Sequence, residues 1–304
     1  MRNRTIQKKG PLLGLLLLLV TMLAFPLTAN ADLRAYRFDL DGYDRDYLFY
    51  VPTGLSGPAP LVVVLHGGGG NARQILRGTG QRFNELADEQ GFYVLYPNAV
   101  DGVWDFGEGV ISESLNTRRD DLAYLTTVIA AVSTSVPVDS ERIFATGISR
   151  GGQASYFLAC KKPDLIRAIA PVAMPLPEFL LDDCNSVSDK GILVMNGTAD
   201  PIVPYTGGQI RIGRQDRGAV LPTTATMALF ADRNGCGSAL TSRTVGAVTV
   251  TEHTNCRAPT VLYRIEGGGH TWPSGRSFLP RLLVGPTNWD INAADEIWAF
   301  FSRF

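Results

Sequence analysis

The strongest constraint in this chain is a serine framed by glycines, Gly147-Ile148-Ser149-Arg150-Gly151, set between an apolar run and a helix-like run. Arg142-Ile143-Phe144-Ala145-Thr146-Gly147 predicts a short buried strand, and residues 152–160 predict a helix. Glycines at 147 and 151 let the backbone turn sharply and the helix pack close to its strand. The serine hydroxyl is then exposed at a helix N-terminus that favours negative charge. Glycine makes up 32 of the 304 residues, so the spacing alone is weak and the strand–turn–helix context gives it weight.

The surrounding chain repeats that alternation. Leu61-Val62-Val63-Val64-Leu65 is the clearest strand, followed by a helical stretch over 72–90, a strand over 92–96 and a helix over 120–132. Further strands are expected over 168–172, 192–195 and 261–265, and a leading antiparallel hairpin over 35–40 and 46–51. An amphipathic helix over 293–304 places Ile297, Phe300, Phe301 and Phe304 on one face. Buried strands alternating with helices predict an α/β fold, a mostly parallel central sheet with helices on both faces. No repeat or low-complexity tract marks a second domain.

Residues 1–31 read as a signal peptide. Arg2, Arg4, Lys8 and Lys9 give a positive start, residues 12–27 are apolar, and Ala29-Asn30-Ala31 is a small-residue cleavage site. Residues 32–304 are then a single catalytic domain, secreted to the periplasm or the medium, with no membrane contact once the leader is removed. Losing four of 28 cations leaves 24 against 29 acidic residues, a formal charge of −5. With no basic block interleaved with aromatics, nucleic-acid binding has no support.

The four cysteines, Cys160, Cys184, Cys236 and Cys256, all lie in the exported part, where they can pair. Of three possible pairings, Cys160 with Cys184 and Cys236 with Cys256 close the shortest loops, worth ~3 kcal/mol apiece in a chain-entropy account. No C-x-x-C spacing points to a metal site.

A serine attacks a carbonyl only when a base takes its proton, and the chain holds three histidines. In an open sheet, reactive groups belong on loops after the strands. Three sites fall there. The run His66-Gly67-Gly68-Gly69-Gly70 follows the first core strand and offers backbone N–H groups to an oxyanion. Asp200 lies in Asn196-Gly197-Thr198-Ala199-Asp200-Pro201. His270 lies in Gly267-Gly268-Gly269-His270-Thr271-Trp272. The order Ser149, Asp200, His270 is that of α/β hydrolases. His66 reads as structural and His253 as a loop residue. Asp120 and Asp121 read as helix-start acids, as does Asp290.

The blocks Tyr50-Val51-Pro52, Leu65-His66-Gly67-Gly68, Gly147-Ile148-Ser149-Arg150-Gly151-Gly152, Gly197-Thr198-Ala199-Asp200-Pro201-Ile202-Val203-Pro204-Tyr205 and Gly268-Gly269-His270-Thr271-Trp272-Pro273 carry a resemblance. The chain resembles the secreted polyhydroxybutyrate depolymerase and feruloyl esterase family within the α/β hydrolases. That resemblance implies Ser149 as nucleophile with Asp200 and His270 as partners, and oxyanion donors at Gly68 and Arg150. It also fits the short-loop cysteine pairing. Asn196 departs from the family, which commonly carries histidine there.

The expected reaction is ester hydrolysis through an acyl-enzyme, without metal or cofactor. Trp104 and Trp272 are expected to wall the pocket, with core packing as the competing reading. A hydroxybutyrate polyester or its oligomers is the first substrate class. A feruloylated or acetylated plant polysaccharide is the second. A transacylase and a non-catalytic binding protein are more distant readings.

Overall fold

In the computed structural model, which describes residues 31–107 and 119–304, the strands assemble in the order β1-β2-β4-β3-β5-β6-β7-β12-β11-β10. In chain order these are β1 (Asp32–Leu40), β2 (Tyr43–Val51), β3 (Ala59–Leu65), β4 (Tyr93–Pro97), β5 (Val138–Ile148), β6 (Ala168–Val172) and β7 (Gly191–Gly197). A separate hairpin, β8 (Gly208–Ile212) with β9 (Gln215–Val220), follows, and β10 (Leu240–Val245), β11 (Val248–His253) and β12 (Thr260–Ile265) complete the sheet. From β4 through β12 in the spatial order the pairings are parallel; β1 and β2 at one edge and β11 and β10 at the other pair antiparallel. The expected leader lies outside the described residues, except for Ala31.

The helices are α1 (Ala72–Gly78), α2 (Arg82–Gln90), α3 (Asp121–Ser135), α4 (Arg150–Lys161), α5 (Leu181–Asn185), α6 (Thr223–Arg233), α7 (Arg281–Val284) and α8 (Ala293–Phe301). Among the described residues none is long and apolar enough to cross a membrane. The two faces of the sheet are separated by the period-2 geometry of β3. Leu61, Val63 and Leu65 join Leu125, Val128 and Ile129 of α3 and Phe157 of α4 on one face. Val62 and Val64 join Leu86 of α2 and Ile297 and Phe301 of α8 on the other. Every residue of β3 is buried, as a strand covered on both faces requires.

The single helix expected over 72–90 is two. Thr79 ends α1, and Gly80 and Gln81 take φ of 66° and 61°, so the chain turns before α2. The final helix stops at Phe301, beyond which Phe304 still packs on Phe144 at 6.0 Å between rings. Asp120 caps α3 by accepting from the Ala123 amide at 2.9 Å. Asp121 does more than charge the helix start. It is buried in an ion pair with Arg45 of β2 at 2.6 Å and accepts from the Asp105 amide at 2.6 Å, tying the leading hairpin to the loop before α3. Asp290 is not a helix acid: it accepts from the Ala247 amide at 2.8 Å, and Asn292 caps α8 instead.

Two disulfides join Cys160 to Cys184 and Cys236 to Cys256. The first anchors the last turn of α4 to α5.

Candidate active site

From β3 the chain moves outward to β4 and then returns across β3 to β5. The helices after β3 pack on one face, and the helix after β5 packs on the other. The crevice outside the carboxyl ends of β3 and β5 is therefore a topological switch point, where open α/β sheets hold ligands. His66 to Gly70 and Ser149 both lie there.

Ser149 joins β5 to α4 with φ 56° and ψ −122°, a conformation that costs a non-glycine residue roughly 1–3 kcal/mol. Its neighbours enforce the turn. A Cβ on Gly147 would stand 2.5 Å from the Leu65 carbonyl oxygen, and one on Gly151 would stand 2.1 Å from the same atom. The Ser149 amide donates to the Val172 carbonyl at 2.9 Å, fixing the turn to β6.

Arg150 opens α4, so its amide has no intrahelical acceptor. Gly68 lies beside it, since a Cβ at Gly68 would be 3.8 Å from the Arg150 Cβ. Among the described residues neither amide donates to another protein group. The buried Arg150 guanidinium points away from these amides and donates to the Trp104 carbonyl and, at 3.1 Å, to Gln153 Oε1. Burial pushes its pKa down to about 10.

Trp104, expected as a pocket wall, is corrected to a core residue. It is fully buried, stacks on His66 at 4.8 Å between rings and donates its indole N–H to the His66 carbonyl at 2.9 Å. An indole in that slot supports the glycine loop from behind and does not line the pocket. Trp272 does line it, while also packing edge-to-face on Phe83 at 6.1 Å.

Asp200 and His270 come from loops after β7 and β12, adjacent parallel strands. The loops are stitched together by the Thr198 amide on the Ile265 carbonyl and the Ala199 amide on the Gly268 carbonyl, each at 2.9 Å. Asp200 Oδ1 accepts from the Ile202 and Val203 amides at 2.8 Å, and Oδ2 meets His270 Nδ1 at 2.8 Å. The side chains are 2% and 8% exposed, so the pair is shielded from water. With Nδ1 donating to the carboxylate, Nε2 is left as the acceptor of the neutral ring.

Ser149, His270, Trp272 and the His66–Gly70 run line one pocket of 230 Å³. Ile148, Thr271 and Val284 also line it, and two further groups were not foreseen in the sequence: Gln74, Ile75 and Gly78 of α1, and Arg276, Ser277, Phe278 and Leu279 before α7. The only signal for the second group was a run of paired apolar residues, Phe278-Leu279 and Leu282-Leu283, too short for a core element.

The other two histidines are elsewhere or occupied. His66 is 1% exposed, with Nδ1 on the Gly67 carbonyl at 2.8 Å and Nε2 accepting from the Ala99 amide at 3.0 Å. Burial pushes its pKa down to about 4. His253 pairs with Leu240 at the far antiparallel edge, and burial lowers its pKa as well.

The fold is that of the α/β hydrolases. In overall backbone the chain is similar to an acetyl xylan esterase from Aspergillus awamori, with a TM-score of 0.61 at 16% identity over 88% of this chain and 99% of that one. A family model described as Esterase PHB depolymerase matches residues 45–178. The chain is 27% identical to feruloyl esterase C of Emericella nidulans over 84% of this chain and 83% of that protein. It is also 27% identical to feruloyl esterase B of Piromyces equi over 76% of this chain and 44% of that protein. Over these stretches the chain is similar to the polyhydroxybutyrate depolymerase and feruloyl esterase family, and it is an esterase by these relatives.

Proposed function

We propose that this esterase cleaves carboxylic esters through a covalent acyl-enzyme on Ser149, with polyhydroxybutyrate or its oligomers as the first substrate class. The observation that carries the reading is the 2.8 Å contact of His270 Nδ1 with Asp200 Oδ2, made by the histidine that lines the same pocket as Ser149. His270 Nε2 takes the hydroxyl proton as Ser149 Oγ bonds to the ester carbonyl carbon, and the carbonyl oxygen becomes an oxyanion. The amides of Gly68 and Arg150 donate to that oxygen; one such donor is worth ~3 kcal/mol of barrier. His270 then gives its proton to the leaving alkoxide, the C–O bond breaks, and the alcohol departs. Water, deprotonated by the same ring, attacks the acyl carbon and releases the acid and free Ser149. Asp200 holds the tautomer and stabilises the imidazolium.

The single catalytic domain over 32–304, the leader and export belong to this reading, supported by two disulfides of the kind that persist in oxidising compartments. Feruloyl ester hydrolysis is the second reading, favoured by the names of the relatives. Turnover of a soluble 3-hydroxybutyrate oligomer is to be measured against a feruloyl sugar ester, with Ser149→Ala as the blank. Oligomer preference abolished in the blank is the expected result. A feruloyl preference moves the assignment to plant-wall esters, and activity that survives Ser149→Ala overturns the acyl-enzyme.

A further inference from the structure

Two polar side chains on the pocket wall are committed to nothing else in the molecule. Arg276 carries a guanidinium and Gln74 a carboxamide, and neither head group has a hydrogen-bond or ionic partner among the described residues. Both stand on one wall. Gln74 and Gly78 are one turn apart on α1 and both line the pocket, and the Arg276 amide donates to the Gly78 carbonyl at 2.8 Å. At the inner end of this wall a Cβ on Gly70 would stand 3.5 Å from Gln74 Oε1, so the carboxamide adjoins the glycine loop. The backbone leading to Arg276 is tightly held: a Cβ on Gly275 would stand 2.6 Å from the Gly78 carbonyl oxygen and 2.8 Å from the Trp272 Cβ.

The charge of the lining is one-sided. No described aspartate, glutamate or lysine lines the pocket. His66 is neutral, since burial pushes its pKa down to about 4, and the Asp200 oxygens are engaged by the His270 ring and two amides. Arg276 is therefore the one permanent charge in the described lining, and it is positive in a chain that is net acidic. An unpaired guanidinium attracts a carboxylate and can hold it through two parallel N–H donors, and a cleft of one sign concentrates ligands of the other. The base decides which half of the ester bears that carboxylate. The leaving oxygen must lie at His270 Nε2 to receive its proton, so the alcohol half departs along residues 270–279, the segment that carries Arg276. The pocket's 230 Å³ is below the ~300 Å³ at which cavities begin to enclose a drug-sized ligand. A small ester held at Ser149 thus brings its alcohol half within reach of the guanidinium.

Resting on the esterase reading above, we infer that Arg276 is a specificity-determining residue that binds a free carboxylate on the alcohol half of the ester, with Gln74 as a neutral donor on the same wall. The preferred substrate is a small ester of a hydroxy acid whose own carboxyl end is free, cleaved at the ester bond nearest that end.

Two esters that differ only in charge test the contact. Butyrate release from 3-(butyryloxy)butyrate and from its neutral amide is followed, and the ratio of their kcat/KM values is taken. The wild type should favour the carboxylate at least tenfold, through KM more than kcat, because a contact remote from the reacting atoms holds ground and transition states alike. Arg276→Gln should lower the ratio at least tenfold, Arg276→Lys should restore part of it, and high salt should erode it in the wild type. Arg281→Gln, which removes an equal charge outside the pocket lining, should leave the ratio within twofold. A wild type that does not favour the carboxylate, a ratio unmoved by Arg276→Gln, or an equal fall in Arg281→Gln would each overturn the inference. So would an Arg276-dependent preference found only with mono-p-nitrophenyl glutarate, whose charge sits on the acyl half. If neither ester is cleaved, the esterase reading fails, and calorimetry then decides the contact alone. Binding of 3-(butyryloxy)butyrate to Ser149→Ala should weaken at least tenfold when Arg276→Gln is added, and unchanged binding would overturn it.

Discussion

Two histidines in this molecule are written in nearly the same language, and only one is free to do chemistry. His66 and His270 each follow a strand and each adjoins a run of glycines. Both line the same pocket and both are buried. What separates them is how their ring nitrogens are spent. Both nitrogens of His66 are taken by backbone groups, at Gly67 and Ala99, which leaves a fixed, neutral ring that shapes the glycine loop. His270 commits only Nδ1, and to a buried carboxylate, so its other nitrogen is an acceptor backed by negative charge. A histidine's role here is set by its hydrogen-bond ledger and not by the residues beside it in sequence.

That contrast is most easily broken by removing the ring. His270→Ala should lower turnover by roughly four orders of magnitude, as should Ser149→Ala, because residues of a serine–histidine unit act together. His66→Asn should instead act mainly on stability. If His66→Asn cost more turnover than His270→Ala in steady-state assays, the two roles would have to be exchanged. Asp200→Asn should cost about four orders of magnitude in kcat with a smaller change in KM, since it leaves the ring in place but no longer selects its tautomer.

Acid sharpens the comparison further. The unfolded chain protonates His66 near pH 6.5, whereas the folded ring does so only near 4. The unfolded state therefore binds more protons in that window, and the contribution of this residue falls as pH drops from 6.5 to 4, by at most about 1.4 kcal/mol per pH unit. Denaturant unfolding across that range should show a steeper loss in the wild type than in His66→Asn. Next in size is reduction of the disulfides, about 3 kcal/mol apiece in the entropy account; an unchanged melting temperature in reductant would contradict it. The smallest effect belongs to His253→Ala, which should alter turnover less than twofold.

Much of the parallel heart was legible in the sequence because its strands are buried on both faces and read as unbroken apolar runs, Leu61 to Leu65 above all. The same physics hid the edges. β10 is exposed at every position, and β8 buries only Ile210, so neither carries the alternation that announces a half-buried strand. The break between α1 and α2 rests on Thr79-Gly80-Gln81, where one glycine inside a helical pattern is a weak signal. Of the site, the glycine loops, Ser149, Asp200 and His270 could be read from motif and order. The wall at Arg276 to Leu279 could not, since it is built by tertiary packing of a segment with no period. Trp104 shows the limit from the other side: an aromatic near a site in sequence can stand behind it in space.

Arg150 offers a final consequence. Its amide opens the helix beside Gly68, while its buried guanidinium grips the carbonyl of Trp104, whose indole in turn holds the His66 carbonyl beneath the glycine loop. The two amides proposed to share the oxyanion are thus braced by one side chain reaching round to the back of both. A shorter or neutral side chain at 150 would therefore keep the amide and release the Trp104 carbonyl, loosening the glycine loop on the other side of the oxyanion.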